Sequence, residues 1–473
     1  MEKRMLSTRD ASKTMRSYSD VLLEGLAADG GLYAPSDLTA FDASELAALQ
    51  KATYPEIAFA VKQKLVGGAI ADSVLKKLID SAYSAKQFDL VRGQVAPVLD
   101  IGDELHLQNL SQGPTASFKD MAMQLLGREM NYELKRREEK LVILGATSGD
   151  TGSAAEAAFR GLERVTLFML SPEEGMSAFQ KAQMGALTGG NIFNVSIRGR
   201  FDDCQDLVKA VKSDAEFAKL GAVNSINWGR ISSQIPYYFS GYLQTVKEVG
   251  EPLDVCVPSG NFGNVLSAYY AKRMGLPIRR LVVATNENNV LDKLFKTGVY
   301  EYTPSQVTTS PSMDISKASN YERLVFDLMD GDPKRTAAYM AAFAKNGRVS
   351  LEEFGLDVRV FAERGFESGS STHADRLSTI AHVYAASGHF IDPHTADGVY
   401  VGLSHKRHDA KMLCMGTALP VKFEDTVRQA LGFVPERPER FAGLESRLSE
   451  HAFEVMDADA SALKSFIRVK LPQ

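Results

Sequence analysis

Lys119 follows a Gly113-Pro114 turn signal in the segment SQGPTASFKDMAMQ, residues 111–124. The start of the segment reads as a loop and the rest as the opening of a helix, with Ser117 as its candidate cap. A cation in the first turn of a helix is disfavoured by the partial positive charge there, which lowers the lysine pKa. Desolvation pushes the same way from an ordinary value of about 10.4. A neutral amine is what a Schiff-base nucleophile requires. Taken alone, a lysine beside Asp120 also fits an ordinary surface position.

Two further segments could hold anions. GATSGDTGSAAEAA, residues 145–158, follows an apolar run and opens an Ala-rich stretch. Its glycines let backbone approach a ligand, and Thr147, Ser148, Thr151 and the N–H groups of a helix start favour negative charge. No Lys-Ser/Thr follows its last glycine, so it is not a Walker A loop, and it is not GxGxxG. PSGNFGNVLSAYY, residues 258–270, repeats the strand, glycine loop and helix order. Its residues Gly260 to Asn264 can present consecutive N–H groups to a phosphate. Each loop also fits a plain capped turn. Together they suit a pair of anionic ligands, a phosphorylated cofactor and an acidic substrate.

Such loops need strands to position them. Short apolar runs occur at 140–146, 165–170, 254–259, 278–285, 388–393 and 410–416, alternating with helical stretches. That rhythm predicts an α/β chain with largely parallel sheets, whose ligands bind beyond the C-terminal ends of the strands. The first hundred residues instead show helical spacing, in 44–66 and 72–83, separated by a Gly67-Gly68 turn. At 473 residues the chain has room for about three domain-sized units.

Composition narrows the function classes. Hydrophobic residues make up 44% and charged residues 24%, with a net charge of −5, as in an ordinary soluble globular protein. There is no basic footprint for nucleic acid or an anionic membrane. No apolar run follows the basic N-terminal residues and none is long enough to span a bilayer, so the expected location is cytoplasmic. Cys204, Cys256 and Cys414 are too few and too far apart for a disulfide framework or a zinc site.

SQGPTASFKD, ATSGDTG and SGNFGN together resemble the cofactor-lysine segment and the two glycine loops of the threonine synthase family. STR (7–9), GLAADGGLYAP (25–35), FDDCQ (201–205), SINWGRISSQIPYYF (225–239), ATNENNVL (284–291), SPSMDISKASNYERL (310–324), DPHTADG (392–398) and GTALPVKF (416–423) fall in that family's order. DGGLYAP and NYERL resemble its longer, fungal and enterobacterial-type branch. The resemblance implies PLP fold type II, like tryptophan synthase β: two parallel-sheet α/β domains plus a mainly helical N-terminal region. The expected divisions are 1–95 for that region, 96–250 for a smaller domain with the lysine and a substrate-carboxylate loop, and 251–473 for a larger domain with the cofactor-phosphate loop.

The resemblance also implies a chemistry. Lys119 would carry pyridoxal 5'-phosphate (PLP) as a Schiff base. Gly260, Asn261, Phe262, Gly263 and Asn264 would hold the cofactor phosphate, Thr417 would face the pyridine nitrogen, and Asp150 the phenolic oxygen. Ser148 and Thr151 would grip the substrate carboxylate, and Asn224, Ser225 and Arg230 its phosphate. The implied reaction converts O-phospho-L-homoserine and water to L-threonine and phosphate, in a monomer or weak homodimer. Three positions depart from the family pattern: Gln112 and Leu419 where histidines are common, and Asp397 where an apolar residue is usual. They leave open altered kinetics or a related phospho-amino-acid substrate; the alternative reading is another PLP phospho-lyase or a serine/threonine dehydratase, which would share the lysine and a glycine loop. His394 reads as structural or supporting rather than catalytic.

Overall fold

The computed structural model describes residues 4–174, 176–187, 190–217, 220–221, 224–449 and 452–471. Two parallel sheets carry the loops. The larger has six strands in the order Phe366–Ser370, Ile278–Thr285, Leu253–Pro258, Lys411–Gly416, Leu105–Asn109 and Val98–Asp100. All its pairings are parallel except the last. The smaller sheet is parallel throughout, ordered Glu454–Asp457, Ile192–Arg198, Val165–Pro172 and Leu141–Ala146. Leu253–Pro258 is buried at every position, and its one charged residue, Asp254, is paired with Arg279 and Arg280.

Five of the six expected runs are strands. The sixth, 388–393, is not: Asp392 caps the helix Pro393–His405 by accepting the His394 N–H at 3.0 Å. A short apolar run before a capped helix cannot be told from a strand by periodicity. The sheets also cross the division expected at 250. Val98–Asp100 and Leu105–Asn109 belong to the larger sheet, and Glu454–Asp457 to the smaller. Leu463 and Ile467 of the C-terminal helix Ala460–Lys470 pack into the small sheet's core with Phe168, Val195 and Ile197. Sheet membership follows tertiary pairing, so a division drawn along the chain misses it.

The N-terminal region is mainly helical, with a small antiparallel sheet of Arg16–Ser17, Arg4–Ser7 and Tyr33–Pro35. The helical stretch 44–66 is two helices, Ala43–Ala48 and Tyr54–Val66. The second starts at a Thr53–Glu56 capping box with Pro55 in its first turn and ends at Gly67 in the left-handed region. Helix Lys119–Arg137 lies against helix Asp150–Phe159. Gly127 permits that approach, because a Cβ there would sit 2.8 Å from the Ala158 carbonyl oxygen. Cys204, Cys256 and Cys414 are free and buried. Among the described residues no helix is long and apolar enough to cross a membrane.

Candidate active site

Lys119 is the first residue of its helix, and the cap position is Phe118; Ser117, the expected cap, only receives the Lys119 N–H at 3.4 Å. The loop is held from the side. Phe118 N donates to Thr417 O at 2.7 Å and Leu419 N to Ala116 O at 3.0 Å, which lays 116–118 along the segment leaving strand Lys411–Gly416. Behind the loop, Thr115 donates from its N–H and hydroxyl to Asp120, whose carboxyl burial raises to about 6.

The Lys119 side chain is buried, and Nζ donates to Asp150 Oδ2 at 3.2 Å. Burial lowers the amine's pKa; Asp150 opposes that shift, while Lys422 and Arg230 add to it. Asp150 opens helix Asp150–Phe159 and has its carboxylate closed by four donors. Oδ2 also accepts from Ser312 Oγ at 3.0 Å, and Oδ1 accepts from Lys422 Nζ at 2.7 Å and Gln180 Nε2 at 3.0 Å. Burial alone would raise this carboxyl, but Lys119 and Lys422 outweigh it and hold it well below the usual carboxylate range.

The two glycine loops differ. In the first, Thr147 Oγ1 accepts the N–H groups of Gly149 at 3.0 Å and Gly152 at 2.8 Å, so these two are spent inside the loop rather than offered to an anion. Ser148 stays exposed and Thr151 half-buried at its rim. In the second, Phe262 takes φ +62° before helix Gly263–Arg273, turning the backbone of 260–264 into a concave start. A Cβ on Gly260 would lie 2.9 Å from Ile315 and 3.1 Å from Met313 Cα, so only glycine fits. Asn264 is buried with its Oδ1 bonded to Tyr237 and Tyr238, while its Nδ2 has no partner among the described residues. A buried donor left over at a helix start suits a phosphate oxygen.

Residues 308–324 tie the pieces together. Ser312 reaches Asp150 through its hydroxyl and donates its N–H to His394 Nε2 at 3.0 Å. That acceptor role leaves the ring proton on Nδ1, which faces Asp392 Oδ1 at 2.8 Å. His394 thus links Ser312 to Asp392. Asp392 Oδ2 is also 3.4 Å from the Thr417 hydroxyl. Ser319 bonds Asn261 Oδ1 at 3.0 Å and Ser225 Oγ at 3.2 Å, and Asn320 Nδ2 donates to Ser225 O at 3.0 Å. Asn224 is exposed next to Ser225, and Arg230 is buried on helix Trp228–Ser232, with burial lowering its pKa to about 10. Arg323, also buried, donates to Tyr33 O at 2.8 Å, Ile226 O at 2.5 Å and Asn320 Oδ1 at 2.5 Å. Its neighbour Glu322 accepts from Thr8 at 2.6 Å and from both sides of the Arg9 fork. The N-terminal segment thereby braces the loops around Ser225 and Asn261.

Of the thirteen residues singled out in the sequence, the structure joins Lys119, Asp150 and Thr417 through Ser312, His394 and Asp392, and Asn261 and Ser225 through Ser319. Sequence reasoning missed Lys422, Gln180, Ser312, Ser319, Asn320 and Arg323. Five of these stand inside quoted motifs but at positions with no local chemical signature; Gln180 had no signal at all. Two of the departures have structural accounts. Asp397 is fully buried, 3.1 Å from Arg376, which also pairs with Glu287; burial raises the carboxyl to about 6. Leu419 packs against an apolar cluster with Ala116, Phe179 and Val421, where an imidazole would lose that contact. Gln112 is buried and nothing in the structure explains its identity.

Comparison with known proteins identifies the chain. Residues 4–83 match a family model described as the threonine synthase N terminus, 96–360 one for pyridoxal-phosphate dependent enzymes, and 395–467 one for the threonine synthase C-terminal part. The threonine synthase of Methylobacillus glycogenes is 49% identical, with 98% of each chain covered. The structure of PLP-bound threonine synthase from Brucella melitensis superimposes with a TM-score of 0.93 at 37% identity, over 99% of each chain. That of the yeast threonine synthase gives 0.91 at 34% identity, over 99% of this chain and 98% of that one. This chain belongs to the threonine synthase family, among the pyridoxal-phosphate-dependent enzymes.

Proposed function

We propose that this threonine synthase uses O-phospho-L-homoserine and water to make L-threonine and phosphate, with PLP carried on Lys119. The observation that carries the reading is the Asp150 cluster: a buried lysine amine, lowered in pKa, beside a glycine loop with a spare buried donor and near the buried Arg230. When bound, PLP supplies the electron sink that steadies charge left on a substrate carbon.

The remaining work falls to the chain. Gly260, Asn261, Phe262, Gly263 and Asn264 hold the cofactor phosphate through N–H groups and the Asn264 amide. Arg230, at a pKa of about 10, stays charged at neutral pH and binds the substrate phosphate with Asn224 and Ser225. Ser148 and Thr151 meet the substrate carboxylate. Asp150 would face the phenolic oxygen of the cofactor and Thr417 its pyridine nitrogen. Lys119, one amine near the substrate plane, takes the α-proton and the β-proton and returns a proton at Cγ after phosphate has left. Water then adds at Cβ. The reading includes a monomer or weak homodimer in solution.

The test is a product assay on purified, PLP-supplemented protein, with phosphate, threonine and 2-oxobutyrate measured together. Equal phosphate and threonine are expected. Phosphate with 2-oxobutyrate instead would mean a phospho-lyase, and no phosphate would remove the substrate assignment.

A further inference from the structure

Lys422 reaches the site from the short turn Pro420–Phe423, just beyond Thr417. Its side chain is 0% exposed, and it donates to Thr115 O at 3.0 Å as well as pairing with Asp150 Oδ1 at 2.7 Å. Lys119 occupies the other oxygen at 3.2 Å. Two ammonium groups therefore share one buried carboxylate. The other charged or titratable groups around them are Arg230 on Trp228–Ser232, His394 on Pro393–His405 and Asp120 on Lys119–Arg137. His394 Nε2 accepts the Ser312 N–H, and its Nδ1 faces Asp392 Oδ1.

A buried carboxylate stripped of its cation is costly. Lys119 must lose its proton and bond to carbon in every turnover, so as sole partner it would strand Asp150 each time. We propose that Lys422 is a positioning residue for the reaction: it is the standing counter-ion of Asp150, and its constant charge frees Lys119 to change its own. This rests on Lys119 being the cofactor lysine. The shorter contact to Lys422 supports the division of labour, since the closer cation keeps the carboxylate while the farther one is the surplus. Like charge also opposes protonation of Lys119, in the direction already described.

The experiment uses the full-length, PLP-loaded enzyme and two substitutions. Lys422→Gln keeps a donor but removes the charge; Lys422→Arg keeps the charge. The pH midpoint of the cofactor's visible absorbance change reports the Lys119 nitrogen. In Lys422→Gln that nitrogen has Asp150 to itself, so the midpoint should rise by about one pH unit or more. The acid limb of kcat/KM should follow it, with KM changed less than kcat, and Lys422→Arg should stay near wild type. If Lys422→Gln does not fold, Lys422→Met reads the same charge loss. An unmoved midpoint with a lowered melting temperature would make Lys422 a structural brace of Thr115 and overturn the inference. Borohydride reduction and peptide mass mapping separate that result from a wrong lysine: cofactor found away from Lys119 refutes the underlying assignment instead.

Discussion

Lys62 and Lys422 are both lysines with fully buried side chains, each against a buried carboxylate, and both clusters hang on helix Lys119–Arg137. Lys62 Nζ sits 3.0 Å from Glu129 Oε1 and is closed by hydroxyls, Tyr18 at 2.7 Å and Ser232 at 2.9 Å. Tyr18 in turn donates to Glu129 at 2.8 Å. Here one cation meets one anion inside a shell of neutral donors and acceptors. At Asp150 two cations meet one anion, at the mouth of loops leaving parallel strands. Burial lowers the pKa of both Lys62 and Lys119, so that shift alone does not mark a reactive lysine. The surplus cation does, because it can lose its proton without leaving a naked carboxylate.

The largest test of that contrast is Lys119→Ala. Turnover should fall by about 10⁴-fold, the range of an essential proton-transfer group, while the melting temperature barely moves because Lys422 still neutralises Asp150. Phosphate release and a thermal melt check both halves. Loss of folding in this variant would break the contrast.

Lys62→Met should do the reverse. Removing one partner of a buried pair costs about 3–5 kcal/mol, seen as a lower urea midpoint. Turnover should fall no further than the folded fraction. A large kcat loss in fully folded protein would show that the two clusters are not functionally distinct.

Arg323→Lys sharpens the comparison from the side of the brace. Lysine keeps the charge but cannot reach Tyr33, Ile226 and Asn320 at once. Losing a hydrogen bond to a charged group is worth about 1.5–3 kcal/mol. KM for the phosphorylated substrate should rise roughly tenfold for each 1.4 kcal/mol lost, with kcat less affected. Steady-state kinetics would show it, and an unchanged KM would detach the N-terminal segment from the site.

The smallest effect concerns a buried carboxyl with no lysine. Glu156 lies inside the small domain with neither oxygen hydrogen-bonded among the described residues, and burial raises its pKa well above 4.5. The folded protein thus holds a proton that the unfolded chain releases near 4.5. Its stabilising effect is full below that pH and is lost as pH rises toward the folded pKa. The slope is at most about 1.4 kcal/mol per pH unit. Glu156→Gln should flatten the fall in melting temperature between neutral and alkaline pH; an unchanged slope would mean that Glu156 finds a partner when ionised.

Much of the site was legible because its chemistry is local. Glycine loops after apolar runs and a lysine at a helix start advertise themselves within a dozen residues, and the family's motifs add the order. The supporting groups were not. Lys422, Ser312 and Asn320 are ordinary polar residues in sequence, and only their approach to Asp150, Ser225 and Asn261 gives them meaning.

The sequence by itself determined the α/β alternation, the helical N-terminal region, the loops and Lys119, because periodicity and turn chemistry are written over short windows. Tertiary structure alone decided which sheet each strand joins, that 388–393 is a helix approach, and that two lysines converge on Asp150. Pairing across more than 250 residues, as between Lys422 and Asp150, leaves no periodic trace in the chain. It arises only when packing removes water from both groups and makes each the other's best partner.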